Sequence, residues 1–396
     1  MSTESLRTIL VRHWRPIALY GGLFAFLAGL LAWRLGTLLP GYTQQSLEVY
    51  QSSLHLNDVL HNPINAPFSL LAYAVSLLHS HHSLLYLRMG TAAMAFAVLV
   101  IFCLLLRHWH SARTAFFGTL LLGTSSAFLH TARMGTPVIL MFGLFALVAC
   151  GVWLRTTNSR LAVVLGLLLA ALLVYVPGMV WLIGLGLVWQ WKAVDSTFKK
   201  HLGAVTLGGL LFVGLLAPLV LGLFKHPALS KQLLNMPAQG WPNPFTVLHN
   251  LINVPLHIFV RGGSDGATVL SQVPMLDFFS TAMFLLGGYL YLRYIGLHRS
   301  NLLIAIFLAG AGVISLGGTA TAALLLPFLY VVIAVGVNYM FEQWFAVFPR
   351  NPIAQGVGLV AVGFVVTLAC AYHLRLYFVA WPQASDTQGY FTVHEP

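Results

Sequence analysis

The stretch that decides the fold is LAVVLGLLLAALLVYVPGMVWLIGLGLVWQW, residues 161–191. It is an apolar run of 31 residues between the polar turn Arg155 to Arg160 and the stretch Lys192 to His201, which reads as a polar, basic loop. One helix crosses the hydrocarbon layer in roughly twenty residues, so the run is too long for one comfortable span. Pro177-Gly178 falls at its middle, and proline removes a backbone donor and breaks or kinks a helix. The run therefore reads as two short helices turning near Tyr175 to Gly178, with the irregular backbone sheltered by protein or open to water. The alternative is one tilted, kinked helix, which would invert every element downstream.

Composition agrees with a chain immersed in lipid. Hydrophobic residues make up 59% and charged residues 7%, with a mean hydropathy of +0.85. A soluble domain carries about 25% charged residues, so one soluble core could not hide this much apolar surface. The net charge of +11 does not point to nucleic acid. The Lys and Arg residues sit at the ends of apolar runs, where the positive-inside effect and lipid headgroups account for them. Cys103, Cys150 and Cys370 all lie inside apolar runs and read as small packing residues. Their spacing is no metal motif and no disulfide framework.

Taken outward from that run, the sequence predicts an all-α polytopic protein of about eleven transmembrane helices. The first is Ile17 to Leu39, read as a retained helix rather than a cleaved signal. The transmembrane domain covers residues 1–376, with a first outer loop at 36–85, a second at 225–277 and a short outer tail at 377–396. Within the first loop, Phe68 to Leu78 is too short to span a bilayer and reads as a surface helix. With the N-terminus inside, 13 of the 20 Lys and Arg residues fall on inner connectors, as the positive-inside rule expects. Both long loops then lie over the outer face, where two polar loops above one end of a bundle can enclose a site. The localisation expected is the cytoplasmic membrane, N-terminus inside and C-terminus outside.

Several ordered stretches resemble one family. They are Ser46-Leu47-Glu48-Val49-Tyr50, Asn62-Pro63-Ile64-Asn65-Ala66-Pro67, Leu87-Arg88-Met89-Gly90, His130-Thr131-Ala132-Arg133 with Thr136-Pro137, Val174 to Gly178, and Pro274-Met275-Leu276-Asp277. In order and spacing the chain resembles the polytopic glycosyltransferases of the GT-C superfamily, the group of protein O-mannosyltransferases and lipid A aminoarabinose transferases. The resemblance implies a donor sugar carried on polyprenyl phosphate and transfer on the outer face. Two positions depart from it. Leu47 stands where the family has its catalytic Asp, and Val138 stands where the acid follows Arg-x-x-x-Pro.

Such a transfer needs a carboxylate to take a proton from the acceptor hydroxyl and cations to hold the departing phosphate. Glu48 and Asp58 are the candidate bases. Their plainer readings are a solvated loop acid and a turn or cap residue. Arg133 is the candidate phosphate ligand, with Arg88, Arg261 and Lys231 as weaker versions. The plainer reading of each is an interfacial cation reaching for headgroups. His79, His81 and His82 form the densest histidine cluster. Imidazole is a common metal ligand, so a divalent metal is an open alternative, yet no carboxylate or cysteine stands near in sequence to complete a site and support it. Asp277 reads as a helix cap.

Three functions follow. The first is a membrane glycosyltransferase whose ligands are membrane lipids and a polyprenyl-phosphate sugar. The second, motivated by Leu47 and Val138, is a catalytically degenerate relative that binds protein partners in a membrane complex. The third is a transporter, disfavoured by the lack of an internal repeat and of mid-span charge.

Overall fold

The structure is a computed structural model that describes residues 6–39, 41–52, 55–78, 83–237, 239–263, 270 and 272–392. The regular structure of the described residues is all helical, with no β-strand among them. In chain order the helices are α1 (Leu6–Ala32), α2 (Gln44–Ser52), α3 (Leu56–His61), α4 (Ala66–Leu78), α5 (Ser83–Trp109), α6 (Ala112–Thr124) and α7 (Ser126–Arg133). A 3-10 turn at Pro137–Phe142 runs into α8 (Gly143–Thr157). Then come α9 (Arg160–Val174), α10 (Met179–Trp189), α11 (Trp191–Lys200), α12 (Leu202–Lys225), α13 (Leu229–Leu233), α14 (Pro244–Phe259), α15 (Phe278–Arg293) and α16 (His298–Ser315). A second 3-10 turn, Ala322–Leu325, opens α17 (Leu326–Val347). Last are α18 (Pro352–Arg375), a π turn at Leu376–Ala380, α19 (Trp381–Gln383) and α20 (Ser385–Tyr390).

Six helical segments among the described residues are long and apolar enough to cross a membrane: 85–109, 137–157, 202–225, 298–315, 322–347 and 352–383. Four shorter apolar helices accompany them, at 17–32, 66–77, 160–174 and 179–189. The chain is thus a multi-pass helical membrane protein by length and composition.

The core is built around α17. From Leu326 to Ala334 every residue is buried, and Val337 and Phe341 continue the buried stripe. Helix α15 lies against it at close range. A methyl on Gly287 would strike the carbonyl of Val332, and one on Gly336 would strike that of Met283. Such contact is how helices associate where lipid removes the hydrophobic drive between them.

The connectors gather at two opposite ends of the bundle. At the basic end, Tyr20 Oη donates to Ala112 O (2.7 Å), Arg299 Nη1 to Trp109 O (2.8 Å), and Arg155 to His298. The Arg113 guanidinium lies over the Phe345 ring at 4.9 Å. At the other, looped end the two long polar segments meet. Asn65 N donates to Tyr175 O (2.9 Å), and Gly178 N donates to Leu233 O (2.9 Å).

Those two bonds fall on the break expected at Pro177-Gly178. Helix α9 ends at Val174 and α10 starts at Met179, and α10 returns to the basic end, where Trp189 stacks on His298 at 5.8 Å. Residues 161–191 are a helical hairpin, so the single kinked helix is excluded. Around the break, Val59, Ala66, Tyr175, Leu219 and Leu233 form a small core of their own. It joins the first loop, α12 and the second loop.

Lys192 to Lys200, part of a segment read from the sequence as a loop, lie in the helix α11. The tail packs back on the bundle, with Tyr377, Trp381 and Phe391 buried.

The break tolerates no side chain at Gly178. Its φ is +81°, and a methyl there would run into Val313. Gly178→Ala should therefore lose about 1–3 kcal/mol, read as a lower unfolding midpoint in detergent. Gly184→Ala, whose new methyl meets no atom within 4 Å, should melt like wild type. Equal midpoints for the two variants would contradict this.

Candidate functional site

The looped end is stitched by side chains that reach backbone carbonyls. Arg88, near the start of α5, is 3% exposed. Its Nη1 donates to Leu35 O (3.2 Å), its Nη2 to Gly41 O (3.1 Å), and the guanidinium lies over the Tyr42 ring at 4.2 Å. Arg88 thus serves as a clamp on the chain leaving α1. Asn235 does the same for the second loop. It is fully buried with a φ of +59°. Its Nδ2 donates to Val313 O (2.7 Å), and its Oδ1 accepts from Ala320 N (2.8 Å).

Arg133 ends α7 and is also 3% exposed. Its Nη2 donates to the carbonyl of Trp33. The guanidinium lies 5.2 Å from the Tyr377 ring centre and 4.9 Å from that of Phe378. Its Nε and Nη1 are buried without a hydrogen-bond partner. A desolvated cation over aromatic faces gains about 2 kcal/mol. Burying an ion costs several kcal/mol unless it is paired. No carboxylate pairs with Arg133 among the described residues.

Beside it opens a cleft of about 360 Å³ lined by Arg34, Leu38, Phe378, Pro382, Gln383 and Gln388. The ring of Phe378 is shared: one contact is to Arg133, and the same residue lines the cleft. Arg34 is exposed and held at a φ of +51°, its Nη2 donating to Thr37 O (3.4 Å). Arg34 thus lines the opening directly, and Arg133 is linked to it through Phe378.

The α7 helix carries a polar stripe at Ser126, His130 and Arg133, which recurs at helical spacing. It faces the end of α18. His130 meets Tyr377 at 4.8 Å and Trp381 at 4.3 Å, edge to face. Ser126 Oγ is hydrogen-bonded to His373 Nδ1 (3.2 Å), and His373 Nε2 lies 3.4 Å from Asp277 Oδ1. The last contact has ion-pair distance but not hydrogen-bond alignment. Asp277 also caps α15 as expected, accepting from Ser280 N at 3.0 Å. Burial works to raise its pKa. The approach of His373 and the bonds from Ser280 outweigh that and hold the carboxyl below its ordinary range.

The remaining candidates are dispersed. Glu48 is exposed on α2, whose anchor is Ser46: that hydroxyl donates to Met134 O at 3.5 Å. Residues two apart on a helix do not share a face, so Glu48 turns away from the end of α7. Asp58 is exposed in the first turn of α3. Lys231 on α13 and Arg261 after α14 are exposed and do not line the cleft. His79, His81 and His82 lie outside the described residues. Among the described residues no group of three or more His, Cys, Asp or Glu is placed to hold a metal ion.

Sequence reasoning missed Ser126, His130, His373 and Asn235. His373 did carry a signal, as an ionisable residue near the end of an apolar span. Asn235 carried none beyond the tolerance of asparagine for positive φ. Comparison with protein-family models and with curated proteins finds no match for the chain.

The Asp277 contacts have a pH signature. Because the folded carboxyl titrates below its ordinary value, their stabilisation is complete above the ordinary carboxylate range and is lost as pH falls through the folded value. Asp277→Asn should cost about 1–3 kcal/mol at neutral pH, and its melting midpoint should converge on wild type as pH falls through the folded value. A gap that stays constant with pH would show that the carboxylate charge plays no part.

Proposed function

We propose that the chain is a membrane glycosyltransferase that binds a polyprenyl-phosphate sugar at the looped end of its helix bundle. The observation that carries this reading is Arg133: a buried guanidinium with two unpaired donors, stacked on Phe378, which lines a cleft together with Arg34. A phosphate diester or monoester supplies the counter-charge that Arg133 lacks, and charge-assisted bonds to phosphate are among the stronger ones. The prenyl chain would run along lipid-facing helix surface and leave the headgroup in the cleft. Glu48 is the base assigned to the acceptor hydroxyl, since its exposure on α2 leaves it open to an acceptor arriving from water; Asp58 is the weaker candidate. The ordered resemblance to the GT-C superfamily supports the same assignment.

This reading takes the bundle as eleven crossings. They are α1, α5, α6 with α7, α8 with its 3-10 turn, α9, α10, α12, and α15 to α18. The looped end then faces outward from the cytoplasmic membrane, with the N-terminus inside, because the shorter connectors hold most of the basic residues.

One observation favours a second reading, a binding subunit of a membrane complex. Among the described residues no carboxylate lines the cleft, and Glu48 is turned from Arg133. In that case the anionic lipid is bound without being turned over.

Mass spectrometry of lipids co-purified in mild detergent separates the two from failure of both. Wild type should retain a polyprenyl-phosphate sugar, and Arg133→Ala should lose most of it, by about tenfold or more for loss of charged hydrogen bonds. Only bulk phospholipid in both samples would overturn the donor site. If the lipid is retained, Glu48→Gln should abolish transfer with normal expression; unchanged turnover would remove Glu48 from the mechanism and favour another base.

A further inference from the structure

At the basic end, α11 stands apart from the bundle. None of its residues is buried. Its sequence is WKAVDSTFKK, and its arrangement is amphipathic. Trp191, Val194 and Phe198 recur at i, i+3 and i+7, so they share one face. Lys192 and Lys199 lie seven apart, and Ser196 and Lys200 four apart, on the opposite side. Trp191 and Phe198 are exposed. Asp195 pairs with Lys199 at 2.7 Å, and no carboxylate pairs with Lys192 or Lys200 among the described residues.

The neighbours of α11 fix its level. It begins one residue after α10, which ends in exposed Leu185, Leu187, Val188 and Trp189. It runs into α12 through exposed Leu202. These are lipid-facing surfaces of membrane-length or apolar helices. The exposed stripe of α11 is therefore continuous with them, at the rim where they leave the hydrocarbon layer. A short helix with an aromatic apolar face and a lysine face at that level matches an interfacial helix.

We infer that α11 lies in the membrane plane and docks on an anionic lipid surface. Trp191, Val194 and Phe198 enter the acyl boundary, and Lys192 and Lys200 contact the phosphates, with Lys199 shared between the surface and Asp195. Each basic side chain near an anionic leaflet adds favourable attraction that salt screens. This docking is independent of the glycosyltransferase reading.

The test uses the full-length protein in nanodiscs of phosphatidylcholine with or without phosphatidylglycerol. Spin labels go on Phe198→Cys and, in a second variant, Ser196→Cys; the three native cysteines are buried. Oxygen, which concentrates in lipid, should relax the label at 198, and a water-soluble nickel chelate should relax the label at 196. Adding phosphatidylglycerol should deepen the 198 label. Lys192→Gln with Lys200→Gln should lower retention of phosphatidylglycerol over phosphatidylcholine about tenfold. Both labels accessible to nickel would place α11 in water, and both shielded from either relaxant would place it under protein. Either result overturns the docking. A lipid-buried 198 label indifferent to phosphatidylglycerol and to the lysine changes would overturn its anionic specificity.

Discussion

A polypeptide in a bilayer must satisfy its backbone polar groups within the protein wherever a helix is interrupted. The interruption at Tyr175 to Gly178 sets that requirement on this chain. Pro177 cannot donate, Gly178 turns left-handed, and the Tyr175 carbonyl and the Gly178 amide find their partners outside α9 and α10. Asn65 from the first loop supplies one partner and Leu233 from the second supplies another, while Trp181 Nε1 donates to Leu234 O at 3.0 Å. The need to seal one break thus pulls two distant polar segments to the same end of the bundle. Asn235 completes the seal by closing the far side against Val313 and Ala320.

The same low-dielectric setting explains why the arginines at this end differ in meaning. Arg88 and Arg133 are equally buried, yet Arg88 divides its donors between two carbonyls and an aromatic face. Arg133 has one carbonyl and two rings, and two of its nitrogens remain unpaired. Rings offset part of a desolvation cost but offer no oxygen to those N–H groups. An incoming anion does. The polar stripe below it, from Ser126 and His130 to His373 and Asp277, keeps α7 and the end of α18 in register, which holds Tyr377 and Phe378 under the guanidinium.

Much of this is legible in the sequence because the strongest constraints are local. Pro177-Gly178 within an overlong apolar run announces the hairpin. Alternation of basic connectors with polar loops separates the two ends, and Asp277 before an apolar helix announces a cap. What is not legible depends on partners far apart in the chain. Nothing local distinguishes Arg88 from Arg133; only the path of residues 35–42 decides that one is a clamp. The spacing of Ser126 and His130 gains significance only when His373 and Tyr377 arrive from over 240 residues away. The segment after Trp191 reads as a basic loop because a ten-residue helix draws little stability from propensity alone.

The most direct measurement is a cryo-electron microscopy map of the wild-type protein incubated with a short-chain polyprenyl phosphate. The predicted result is a phosphate density within hydrogen-bond reach of Arg133 Nε and Nη1, with the prenyl chain leaving past Phe378 into lipid. Density for the phosphate at another site, with Arg133 still held only by Trp33 and the two rings, would contradict the central claim.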